Sequence, residues 1–78
     1  MELKLFYRTQ RDLATAVNQI VDAYWNEEVK ETELVEKIKR LHQNNPDKMI
    51  KNNHFTTVIQ QHCGKRRLAV VERILEIK

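Results

Sequence analysis

The chain has 78 residues, 41% of them apolar and 32% charged, with one glycine, one proline and one cysteine. That length makes one domain, 1–78, with a modest core; so few turn residues argue against a sandwich or barrel and for helices; and a single cysteine excludes an internal disulfide framework. The formal charge is +3, and no apolar run is long enough for a membrane span or a signal peptide, so the expectation is a cytoplasmic protein without a membrane partner.

The charge is unevenly placed. Residues 1–45 carry seven Lys/Arg and eight Asp/Glu, and residues 46–78 carry seven and three. A basic second half suggests an anionic partner, either nucleic acid or an acidic protein surface. A few surplus lysines on a solvated face would look the same.

Met1 to Arg8 alternates at first, with Leu3 and Leu5 on one side and Glu2 and Lys4 on the other, until Phe6-Tyr7 breaks the pattern. A lone strand would leave its edge unpaired. The segment therefore reads as an extended N-terminal arm whose Leu5 and Phe6 dock on the helices, or else as an earlier start of the first helix.

Thr9 to Glu27 is the longest periodic stretch. Leu13, Ala16, Val17, Ile20, Val21, Tyr24 and Trp25 recur at spacings of three and four, one stripe of a helix. Thr9 is its cap, with Asp12 three residues on in a variant of the capping box. Arg11, Thr15, Asn18, Gln19, Asp22 and Asn26 make the polar face. Tyr24-Trp25 are large enough to dominate local packing, and their place in the stripe assigns Trp25 to the core rather than to stacking on bases.

After a polar connection from Glu27 to Glu31, Thr32 is the expected cap of a second helix, with Leu34, Val35, Ile38 and Leu41 as its buried stripe. Glu33 with Lys37 and Glu36 with Arg40 are spaced as i,i+4 pairs, and Lys37, Lys39 and Arg40 suit the end of a helix dipole. Asn44-Asn45-Pro46 ends this helix, and Asn45 followed by Pro46 starts a short helical turn through Met49 and Ile50. Asn52-Asn53 reads as a turn.

A third helix is expected over roughly 54–62, with Asn53 as its cap and Phe55, Val58, Ile59 and His62 on one face. Gly64 is placed to end it in a left-handed conformation. Lys65-Arg66-Arg67 opens the last helix, which Leu68, Val70, Val71, Ile74, Leu75 and Ile77 make apolar around much of its circumference and hence largely buried. The fold expected is all-α: a small bundle of three main helices plus one or two short helices, with the first helix central and the last most buried.

The blocks Phe6-Tyr7-Arg8-Thr9-Gln10-Arg11, Asp22-Ala23-Tyr24-Trp25, Phe55-Thr56-Thr57-Val58 and Cys63-Gly64-Lys65-Arg66-Arg67-Leu68 resemble a group of short, uncharacterised bacterial proteins. The resemblance covers most of the chain. It implies a bacterial source and carries no activity.

Gly64-Lys65-Arg66-Arg67 is the most unusual local feature. Three cations in the first turn of a helix oppose its dipole, while the free N–H groups, the dipole and the cations together attract an anion. The sharp expectation is a phosphate-binding corner at Lys65, Arg66 and Arg67, with Lys48, Lys51 and His54 as neighbours. The plain alternative is that the arginines pair with acids of the first helix, such as Asp12, Asp22 or Glu28. Helix, glycine turn and helix also outline a helix-turn-helix, but Glu72 and Glu76 on the second helix would meet phosphates. His42, His54, His62 and Cys63 lack metal-ligand spacing, so no metal is expected. Cys63 beside His62 lacks an orienting group and a cleft for nucleophilic catalysis. No phosphate loop or dinucleotide pattern is present, so neither a cofactor nor an enzyme is expected.

The function expected is thus that of a small accessory or regulatory protein binding nucleic acid or another anionic partner through the basic corner. The competing expectation is a protein-interaction adaptor or homodimer, with Leu3, Leu5, Phe6, Tyr7, Tyr24 and Ile77 as contacts.

Overall fold

The computed structural model describes residues 4 and 6–76. In chain order they form α1 (Gln10–Trp25), α2 (Glu31–Asn44), α3 (Pro46–Met49), β1 (Ile50–Lys51), β2 (His54–Phe55) and α4 (Thr57–Leu75). Three long helices and one short helix make the expected bundle, measuring 32 × 25 × 19 Å. The small antiparallel hairpin β1–β2 is an addition that the helical reading lacked.

α1 is the centre of the molecule. Thr9 caps it as expected: its side-chain oxygen accepts the Asp12 N–H at 3.0 Å. Leu13, Ala16, Val17, Ile20 and Val21 are buried, and so are Ala14 and Ala23, because α1 is packed by α2 on one side and α4 on the other. The helix ends without glycine. Glu27 takes a left-handed φ of 61°, its N–H reaches Tyr24 O, and the Glu28 N–H reaches Ala23 O at 2.8 Å. That bonding pattern is the Schellman stop, with glutamate where glycine is usual.

The second helix begins one residue ahead of Thr32. Lys30 occupies the cap position without a side-chain cap bond, and Thr32 stands in the first turn, where Glu31 and Glu33 already suit the dipole. Leu34, Ile38 and Leu41 are buried and Val35 is half-buried. Glu36 and Arg40 pair at 3.5 Å.

Pro46 opens α3 as its position predicts. The preceding Asn45 is 4% exposed and serves as more than a cap: its Oδ1 accepts the Tyr7 N–H at 3.0 Å and its Nδ2 donates to Leu41 O at 3.1 Å. The arm is therefore held at Tyr7. Phe6, expected to dock, is 68% exposed, because the backbone anchor at Tyr7 leaves it on the outer side. The expected docking of Leu5 lies outside the described residues, as do the contacts assigned to Leu3 and Ile77.

Asn52 and Asn53 form the expected turn, at φ 55° and 66°. Two consecutive left-handed residues make the tight turn whose twist matches a hairpin. Ile50 pairs with Phe55 and Lys51 with His54. Residues 54 and 55, expected in a helix, are thus a strand, and the helix starts at Thr57 with Thr56 rather than Asn53 as its cap. The Thr56 hydroxyl is turned away from capping and donates to Lys48 O at 2.8 Å.

The third and fourth expected helices are two arms of α4, broken at Gly64. There φ is 78° and ψ is 167°, a conformation open almost solely to glycine. The expectation that the last helix is the most buried fails. Beyond Gly64 only Leu68 and Val71 are buried, while Val70, Ile74 and Leu75 are partly covered and Ala69, Glu72 and Arg73 are exposed. The second arm has α1 and α2 to pack on, on one side, and nothing among the described residues covers the other.

Candidate functional site

Part of the polar face of α1 packs on a neighbour, while Thr15, Gln19 and Asn26 stay exposed. Residues Arg11, Ala14, Asn18 and Asp22 follow one another at spacings of three and four, in a line down the helix. Each contacts α4 around its bend. Arg11 Nε donates to His62 Nε2 at 3.1 Å. Asn18 Nδ2 donates to His62 O at 3.0 Å, and the Cys63 thiol lies 3.7 Å from Ala14 O. Asp22 accepts two bonds from Arg67, at 2.9 Å from Nε and 3.0 Å from a terminal nitrogen. The remaining terminal nitrogen of Arg67 donates to Cys63 O at 3.3 Å. A break in a helix leaves carbonyls without partners. Here Asn18 and Arg67 donate to the carbonyls of His62 and Cys63, just before the break. The buried Asn18 Oδ1 has no partner in turn.

This seam decides the fate of Arg67. Its guanidinium is committed to Asp22, one of the acids that the plain alternative named, and those hydrogen bonds hold it charged beyond its ordinary value. Three of the five N–H hydrogens of Arg67 are therefore committed within the protomer. Cys63 is buried, and burial pushes its thiol up to about 11, with the Arg67 charge opposing the shift. A thiol so placed is no nucleophile at neutral pH.

Arg66 points the other way. Its guanidinium carbon stands 5.7 Å from the centre of the Trp25 ring, within cation–π range. Trp25 is 43% exposed, which corrects its assignment to the core. On the helical wheel it falls between Ala14 and Asn18, at the edge where the apolar stripe meets the seam. Tyr24, nearer the centre of the stripe, is packed against the core. A depression of about 640 Å³ opens beside Tyr24 and Trp25 and includes Glu27, Glu28, Lys30 and Glu31 in its wall. Lys65 is exposed next to Arg66 in sequence.

The six cations of the expected anion site do not converge. Lys51 lines a shallow hollow together with Gln10, at the first residue of α1. His54 is its cross-strand partner, and Lys48 is joined to the same end through Thr56. Arg66 stands at Trp25, the last residue of α1, about 22 Å away along a helix that rises 1.5 Å per residue. Among the described residues no group of three His, Cys, Asp or Glu is placed to hold a metal ion. No helix of the described residues is long and apolar enough to cross a membrane.

Sequence reasoning left out Glu27 and Glu28 as site residues and put Trp25 inside. The signal for the seam was present: polar residues at 11, 18 and 22 repeat as regularly as the apolar ones. A polar line with that period can pack on a neighbour as well as face water.

Fold and site together describe a small helical protein with one exposed tryptophan flanked by charges of both signs. A family model matches residues 4–76, and the chain belongs to that family, CLB_0814_fam, described as a conserved hypothetical protein. Comparison with curated proteins gives no match, and comparison with solved structures gives none either.

Proposed function

We propose that this chain is a cytoplasmic accessory protein that acts by binding, not catalysis, and that its partner is a protein docked on Trp25 and Arg66. The observation that carries this reading is the exposure of Trp25 under a stacked guanidinium. Tryptophan and arginine are the side chains that most often dominate protein interfaces. A large ring kept at the surface at 43% exposure is otherwise a loss of burial.

The same pair would also stack on a nucleic-acid base, with Lys65 and Arg66 meeting phosphates. Glu27, Glu28 and Glu31 in the wall beside the ring oppose a polyphosphate, and Arg67 is withdrawn by Asp22. Both points favour a protein.

A photo-crosslinking residue at exposed Asn26, one position beyond Trp25, tests the reading in producing cells. The expected result is a protein adduct that disappears with Arg66→Glu. Adducts to nucleic acid alone, or no adduct, would overturn it.

A further inference from the structure

The depression beside Trp25 has a charge opposite in sign to that of the molecule. The chain carries +3. The wall of the depression holds Glu27, Glu28 and Glu31, with Lys30 as its one cation among the described residues, a net charge of −2. Arg66 meets the Trp25 ring from α4 and is not part of that wall. The balance of these groups stays negative when Arg66 is counted with them.

The carboxylates have no partner, and their backbone is held. Glu27, Glu28 and Glu31 form no ion pair with any other described residue. The Glu27 N–H donates to Tyr24 O at 3.1 Å, the Glu28 N–H donates to Ala23 O at 2.8 Å, and Glu31 is the first residue of α2. The other wall residues are Tyr24 and Val29, half-buried against the core, and Trp25, which is exposed. Aromatic and aliphatic surface beside unpaired carboxylates suits a side chain that is apolar along its stem and positive at its tip.

We infer that the partner docks here through a segment bearing arginine or lysine, an inference that rests on the docking reading above. The methylene stem of such a residue covers Val29 and Tyr24, and its head takes charge-assisted hydrogen bonds from the glutamates as acceptors. The Trp25 ring already holds one guanidinium, that of Arg66. At about 640 Å³ the depression is as large as a ligand pocket, so it takes a short run of chain and not a single side chain. An acidic segment would meet three like charges in the wall.

The test titrates the full-length protein with a short peptide of alternating arginine and glycine, followed by amide NMR and by Trp25 emission. The arginine peptide should shift the amide signals of residues 24–31 and change the emission, with a Kd of about 10–500 μM. Raising the salt from about 0.05 to 0.5 M should weaken it several-fold. The same peptide with glutamate in place of arginine should not bind. Glu27→Gln with Glu28→Gln and Glu31→Gln should weaken binding about ten-fold or more. Glu72→Gln with Glu76→Gln, at exposed positions toward the end of α4, should leave it unchanged.

An arginine peptide that does not bind, that shifts only signals elsewhere, or that binds the triple variant as tightly as wild type overturns the inference. So does tighter binding of the glutamate peptide, or self-association of wild type that covers Trp25, seen by sedimentation velocity. If the triple variant fails to fold, the two peptides on wild type decide by the position of the shifts. In cells, a protein adduct from position 26 that persists undiminished in the triple variant would sink the basic segment and leave the docking reading intact. No adduct at all overturns both.

Discussion

Arg66 and Arg67 are neighbours with the same side chain and opposite duties. Each of the three nitrogens of Arg67 donates one hydrogen inside the protomer, to the two Asp22 oxygens and to Cys63 O. Its forked shape is what makes this possible, and lysine has no such fork. Arg67→Lys should therefore cost about 1 kcal/mol of unfolding free energy, an appropriate size for a two-pronged but partly exposed pair. Arg66→Lys, on the surface, should cost less than about 0.5 kcal/mol. Urea unfolding of both variants measures the difference; equal losses would mean that Arg67 is no more structural than Arg66. Cys63 gives a pH test at the same scale. Its thiol ionises near 9 when unfolded and at about 11 when folded. The folded state therefore keeps its proton to higher pH. Stability from this group is complete below pH 9 and is lost as pH rises toward 11, by an amount on the order of 2 kcal/mol. Wild type should lose more stability over that window than Cys63→Ala, and parallel curves would contradict the burial of the thiol.

At the scale of elements, the positive-φ residues Gly64 and Glu27 differ in what they can tolerate. Gly64 carries the bend of α4 at φ 78°, and a methyl group added there would meet no neighbouring atom. The penalty of Gly64→Ala is then one of backbone conformation alone, about 1–3 kcal/mol, with the bonds from Asn18 and Arg67 at risk if the helix straightens instead. Thermal unfolding should show a clear drop in Tm, and an unchanged Tm would mean that the bend is not required. Glu27 presents the reverse case. Glu27→Gly should stabilise the monomer by about 0.5–1 kcal/mol, since it relieves a left-handed non-glycine residue; a destabilised variant would show that the carboxylate serves the monomer. The contrast bears on what the sequence made legible. Helix periods, Thr9, Pro46, the Asn52-Asn53 turn and Gly64 are local signals, and the structure agrees with each of them. The strand pair around the turn was missed because two residues per strand carry no alternation to read. Thr32 and Asn53 failed as caps because a cap depends on where the chain enters the helix, which tertiary contacts such as Thr56 to Lys48 O decide. At the candidate site, the sequence located the basic corner and named Asp22 as a possible partner. It could not say which arginine would turn toward α1, since that depends on the direction of the helix beyond the bend.

For the whole molecule, the seam and the patch are two sides of one arrangement. Parallel ties from Arg11, Asn18 and Asp22 fix the bend of α4 against α1. With the bend fixed, Arg67 faces inward, and Arg66, one residue earlier, is carried over the end of α1 and onto Trp25. The exposed ring and the arginine over it are held by α1 and α4, while Glu27 and Glu28 stand in the turn that follows α1. Removal of Trp25 should accordingly leave the fold in place. Trp25→Ala is expected to lower unfolding free energy by no more than about 1.5 kcal/mol, well short of the 3–5 kcal/mol typical of a buried tryptophan, and to abolish association. Since the chain contains one tryptophan, its fluorescence reports this position alone. The most direct measurement is quenching of that emission at low micromolar protein by iodide and by caesium. Emission characteristic of a solvated indole, quenched by both ions, is the predicted result. Blue-shifted emission that neither ion reaches would return Trp25 to the core and contradict the account.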